Sequence, residues 1–158
     1  MNFTIEPYET ENGKIPVNDF IYRLDNDHKA KVRRNLKRLE VNGNMLRMPF
    51  SRPLRDGIFE LRTQFKDGIS RVCYFFYFGR KIILTHGFIK KTEETPEEEI
   101  KTAIRYKNDV TIQDEAHLDS FLLRRSPHKK LYCVLRRQVL NSYKMIMKKG
   151  TEGNNELA

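Results

Sequence analysis

IFELRTQFKDGISRVCYFFYFGRKIILTHGFIKK, residues 58–91, decides the fold. Asp67-Gly68 stands between two β-rich runs and is a strong signal for a two-residue hairpin loop. A second turn is expected at Gly79-Arg80, between Cys73-Tyr74-Phe75-Phe76-Tyr77-Phe78 and Lys81-Ile82-Ile83-Leu84-Thr85. Upstream, Phe3-Thr4-Ile5-Glu6 reads as a short strand stopped by Pro7. Val17, Phe20, Ile21 and Leu24 then follow the apolar spacing of a helix. Asp25-Asn26-Asp27 supplies capping oxygens for a second helix, with an inner stripe of Val32, Leu36 and Leu39 and a stop at Gly43. Downstream, Thr95-Pro96-Glu97-Glu98-Glu99 opens a third helix, with Thr95 and Glu98 as a capping box. Capping, not a metal site, is therefore the expected purpose of the acidic run at 93–99.

Composition narrows the function. The chain has 158 residues, 39% hydrophobic and 32% charged, with a formal net charge of +9. A pI near 9.6 fits a surface for polyanions, of which nucleic acid is the commonest. Two cysteines, Cys73 and Cys133, exclude a disulfide framework and a zinc finger and suit a reducing cytosol. No apolar run reaches the roughly 18 residues of a membrane span, and the start does not read as a signal peptide.

Hairpin register gathers the charges. With two-residue loops, Leu61 opposes Tyr74, Phe59 opposes Phe76 and Thr63 opposes Val72 on a core face. The other face pairs Glu60 with Phe75, Arg62 with Cys73 and Gln64 with Arg71, so that Arg62 and Arg71 are diagonal neighbours. Across the second hairpin, Cys73 opposes His86, Arg71 opposes Phe88 and Ile69 opposes Lys90. One face thus collects Glu60, Arg62, Gln64, Arg71, His86, Phe88 and Lys90. A phosphate backbone would relieve the repulsion among these cations, and Phe88 would stack on a base. The plainer reading is a solvated sheet face, which commonly carries Arg and Lys. The basic outer face of the second helix, including Arg34, Lys37 and Arg38, is likewise a solvated face or a contact for a nucleic-acid backbone.

Three stretches in order carry a resemblance: PLRDGIFELR (53–62), GISRVCY (68–74) and HGFIKKTEETP (86–96), with Glu99, Ile100, Ala103 and Arg105 downstream. Over residues 1 to about 109 the chain resembles the phage-derived HigB-like branch of the RelE toxins. The resemblance implies an α+β fold: two N-terminal helices on a twisted antiparallel sheet of about four strands, then a C-terminal helix. It implies the cytoplasmic toxin of a type II toxin–antitoxin system, a metal-independent endoribonuclease that cuts mRNA, usually on the ribosome. A helix-turn-helix antitoxin is the implied partner, any oligomer forms with it, and no cofactor is expected. Arg62, Arg71, Phe88, Lys90 and Lys91 fall on the family's basic motifs.

The chemistry follows from RNA itself, whose 2′-OH attacks the adjacent phosphorus. Arg62 and Arg71 are the expected phosphate clamp. His86 is the simplest proton carrier, with Lys90 and Glu60 as further candidates. Arg55, Gln64, Phe88 and Lys91 are expected to touch RNA, as are Arg34, Lys37 and Arg38. Residues 110–158 form an atypical basic extension outside the resemblance, split by Pro127 into two helical stretches. They read as an amphipathic appendage, against a regulatory arm, a second RNA contact or a read-through. Apolar residues from Leu131 to Met145 would cover the site if they packed back. Two other readings stand for the whole chain: a non-catalytic nucleic-acid-binding phage remnant, and a gyrase-inhibiting toxin on the same scaffold, which would lack the basic sheet face.

Overall fold

The computed structural model describes residues 2–66, 68–90 and 94–125. The chain divides into two compact units, 1–107 and 108–158. The fold is α+β, with three α-helices and one five-stranded sheet among the described residues. In chain order come β1 (Thr4–Pro7), α1 (Pro16–Arg23), α2 (Asn26–Asn42), β2 (Ser51–Pro53), β3 (Ile58–Phe65), β4 (Gly68–Tyr77), β5 (Lys81–Lys90) and α3 (Glu97–Arg125). The sheet order is β1-β5-β4-β3-β2. Two expectations are corrected here. The sheet has five strands, and it is mixed, because β1 runs parallel to β5. The unforeseen strand, β2, is three residues long and ends in Pro53, too short to show a period.

α1 and α2 cover one sheet face. Val17, Val32 and Leu39 from the helices and Leu24 from the link between them meet Leu61, Val72, Tyr74, Ile82 and Leu84 from the strands. α1 lies so close to β5 that a Cβ on Gly87 would stand 2.1 Å from the Phe20 ring. α2 begins where Asp25 accepts a hydrogen bond from the His28 backbone N–H (2.8 Å), which satisfies one of the open donors of the first turn. It ends at Gly43, whose φ of 49° suits glycine, with the Phe3 ring against it. Two polar links cross the apolar layer. His28 Nε2 meets Ser70 Oγ at 2.7 Å, and Asn35 donates to Thr63 Oγ1 at 2.9 Å.

The hairpin registers differ in detail from the expected ones. The first hairpin closes on the pair Phe65 and Gly68, one position earlier than expected. This moves the register by two residues: Phe59 faces Tyr74, Glu60 faces Cys73, Leu61 faces Val72 and Arg62 faces Arg71. An even shift leaves every side chain on its expected face. In the second hairpin, Arg71 does face Phe88 and Ile69 does face Lys90. The register then slips between Val72 and Tyr74, where a bulge absorbs one residue of β5, and Tyr74 pairs with Leu84.

α3 starts at Glu97 and runs unbroken to Arg125, so Leu118, Phe121 and Leu122 belong to the same helix. The expected capping box is not made. The Thr95 hydroxyl donates to Glu60, and Glu98 pairs with Lys101 at 3.0 Å. The readings placed on residues 126–158, including the break at Pro127 and the covering role of Leu131 to Met145, lie outside the described residues. Among the described residues no helix is long and apolar enough to cross a membrane.

Candidate functional site

β3, β4 and β5 turn alternate residues away from the helical layer. On that second face Glu60 sits between two arginines. Its Oε1 is 3.5 Å from Arg62 Nη1 and its Oε2 is 3.4 Å from Arg71 Nε. Glu60 and Arg71 have no exposed surface, while the Arg62 side chain is 10% exposed. Arg62 and Arg71 are therefore direct cross-strand neighbours, and the carboxylate between them keeps like charges together inside the protein. The trio has two positive charges and one negative.

The expectation of an open basic face is corrected. The segment leading into α3, with the first turns of that helix, lies over the inner half of the face. Arg71 Nη1 donates to the Glu94 carbonyl at 3.2 Å, and Thr95 donates to Glu60. Glu97 pairs with Arg55, and Lys107 Nζ donates to the Asp56 carbonyl at 2.6 Å. Tyr106 stacks on Tyr8, their centroids 4.4 Å apart. Thus the acidic run anchors the helix start: Glu99 ties it to β5 through His86, and Glu97 ties it to the loop before β3 through Arg55.

Glu99 reaches His86. Its Oε2 is 2.9 Å from His86 Nε2, while His86 Nδ1 is 3.1 Å from Thr85 Oγ1. The Thr85 hydroxyl has one proton and donates it to the Cys73 carbonyl at 3.1 Å. Nδ1 is then the donor to Thr85, so in the neutral ring Nε2 presents a lone pair to Glu99, and the two groups share a proton only once the pair takes one up. Burial lowers the pKa of His86, against the pull of the Glu99 carboxylate. Such a pair can hold or pass a proton without moving. Tyr106 stands edge-on to the His86 ring at 6.0 Å, and Phe88 lies roughly parallel to it at 6.0 Å. Cys73 is fully buried and burial raises its thiol pKa, as suits a core residue rather than a nucleophile.

The sequence-derived residues thus fall into three groups. Glu60, Arg62, Arg71, His86 and Phe88 come together, and exposed Gln64 stands two residues beyond Arg62, facing Ile69. Arg55 is tied to Asp56 and Glu97 in the loop before β3. Arg34, Lys37 and Arg38 are exposed on α2, in the other layer, and do not join the cluster. Lys37 pairs with Glu40, and Arg38 lies over the Phe50 ring at 4.5 Å. The Lys90 backbone pairs with Ile69, while Lys91 lies outside the described residues. Sequence reasoning missed Thr95 and Glu99 as neighbours of the cluster. The one available signal was the short connection from β5 to α3, which brings the helix start back over the strand it has just left.

The domain thus buries a carboxylate between two cross-strand arginines, with a His–Glu pair beside it. Residues 19–108, more than half of the chain, match the family described as Phage derived protein Gp49-like (DUF891). The chain belongs to that family, a RelE/HigB-like toxin family of phage origin, and membership points to the toxin half of a toxin–antitoxin pair. No curated protein matches the chain.

Proposed function

We propose that this chain is the toxin of a type II toxin–antitoxin pair and a metal-independent endoribonuclease that cuts ribosome-bound mRNA in the cytoplasm. The observation that carries the reading is the Glu60–Arg62–Arg71 trio, whose excess positive charge reaches the surface through Arg62. RNA enters at the outer end of the face, where Arg62 grips a phosphate in bidentate fashion and Phe88 and Gln64 receive a neighbouring nucleotide. Lys90 and Lys91, next to each other in the sequence, add positive charge for the RNA backbone. The 2′-OH attacks phosphorus, the bond to the 5′-oxygen breaks, and a 2′,3′-cyclic phosphate forms. The His86–Glu99 pair takes the proton of the 2′-OH or returns one to the leaving oxygen. Arg71 and Glu60 act as positioning residues that fix the direction of Arg62.

The test is induced expression of wild type and Arg62→Ala in a bacterial host, with 5′-end mapping of cellular mRNA. The expected result is growth arrest with new cuts in translated messages, and a cleavage rate about 10²–10³-fold lower in the variant. Soluble wild-type protein that neither stops growth nor cuts RNA overturns the nuclease. The burial of Glu60, Arg71 and His86 beneath the start of α3 favours a second reading, a non-catalytic RNA-binding remnant. That reading predicts RNA binding without cuts.

A further inference from the structure

An open groove of about 520 Å³ lies between α1 and the first two turns of α2, in the helical layer rather than on the sheet face just described. It is lined by Asn18, Ile21, Tyr22, Asn26, Lys29 and Arg33. Tyr22 is 83% exposed, so its ring takes no part in the core. The Lys29 ammonium stands 5.3 Å from the centre of that ring. Lys29 and Arg33 are one turn apart on α2, Asn18 is one turn before Tyr22 on α1, and no carboxylate is among the lining residues.

We infer that this groove is a second contact for single-stranded RNA, in which one base stacks on Tyr22 and the adjoining phosphate lies between Lys29 and Arg33. Each part matches one part of a nucleotide. A solvated tyrosine offers a stacking face to any base. The carboxamides of Asn18 and Asn26 each present a donor and an acceptor, the complement of a base edge. The two cations neutralise phosphate. An acidic peptide would use the cations but has no need of an exposed ring flanked by two carboxamides, so the full set favours RNA. The assignment of RNA as ligand rests on the function proposed above. The groove itself is separate from the Arg62 cluster, and a bound strand would be held at two places.

The test is fluorescence anisotropy of the full chain with a labelled 2′-O-methyl RNA octamer, which lacks the attacking hydroxyl and cannot be cut. Tyr22→Ala should weaken binding about 5- to 100-fold, and Tyr22→Phe should bind as wild type. Lys29→Ala with Arg33→Ala should reduce the slope of log affinity against log salt by about 1.4. The same fold-loss from Tyr22→Ala in an Arg62→Ala background would establish two separate contacts. Circular dichroism melts should be unchanged by Tyr22→Ala, since the ring is solvated. Unchanged RNA affinity in folded Tyr22→Ala overturns the inference, including the case where a protein partner occupies the groove. A nuclease result that fails while Tyr22→Ala still weakens binding overturns the proposed reaction and leaves this contact standing.

Discussion

The two faces of the sheet are built from the same strands and differ in whether ionised side chains are buried among the apolar ones. Leu61 and Val72 face each other on one side, and one residue further along, Arg62 and Arg71 face each other on the other. The helical side closes over aliphatic and aromatic groups, where stability scales with area and shape. The far side closes over Ile58, Cys73 and Phe75 together with Glu60, Arg71, Thr85 and His86, all buried. There, stability depends on every charge keeping its partner, because a buried charge left alone costs far more than its pairing returns. Alternation along a strand thus separates a face that mainly has to fit from one that also has to balance charge.

The largest effect should come from breaking the charged face one residue at a time. Glu60→Ala leaves two guanidinium groups without the carboxylate between them, and we expect a loss of about 3–5 kcal/mol in urea denaturation. Replacing Glu60 and Arg71 together by Met should recover most of that loss. Failure of the double variant to recover would show that the trio contributes packing rather than charge balance. The helical face should be more forgiving. Gly87→Ala pushes a methyl into Phe20, and we expect a loss of about 1–3 kcal/mol, reduced when Phe20 is changed to Leu at the same time. A loss from Gly87→Ala as large as that from Glu60→Ala would erase the contrast.

Proton titration sharpens the comparison with the smallest effect. Among the described residues each face holds one buried histidine, His28 on the helical side and His86 on the other, and burial lowers the pKa of both from 6.5. The folded state then binds fewer protons than the unfolded chain, so stability is complete above pH 6.5 and falls as pH drops from there toward the folded values. The slope is at most about 1.4 kcal/mol per pH unit for each histidine. Thermal melts at pH 7.5 and 5.5 should show a lower Tm at the acid end, and His28→Gln should remove part of that fall. A Tm that rises toward pH 5.5 would mean that His86 is held as an imidazolium by Glu99.

Much of this was legible in the sequence, for reasons that particular residues make plain. The strands and first two helices announce themselves through period, caps and turn residues, as at Asp25 and Gly43. The membership of each sheet face also survived an error in the loop, because the register of β3 against β4 moved by two residues, an even shift. What could not be read was tertiary. No local pattern tells that the Thr95 hydroxyl will leave its own helix for Glu60, or that Glu99 will find His86. The sequence therefore shows which charges share a face but not what lies over them.

The sheet's two shortest strands have a bearing on how the chain avoids its neighbours. β1 and β2 have four and three residues, and each ends in a proline, Pro7 and Pro53, which offers no N–H to an incoming strand. They flank the end of the sheet that carries Tyr74-Phe75-Phe76-Tyr77, a run with the uncharged, aromatic character of segments that assemble into fibrils. β4, which holds that run, is the middle strand of five, paired on both sides. The most self-adhesive segment of the chain is thereby kept farthest from any second copy, behind rims that are poor templates for strand addition.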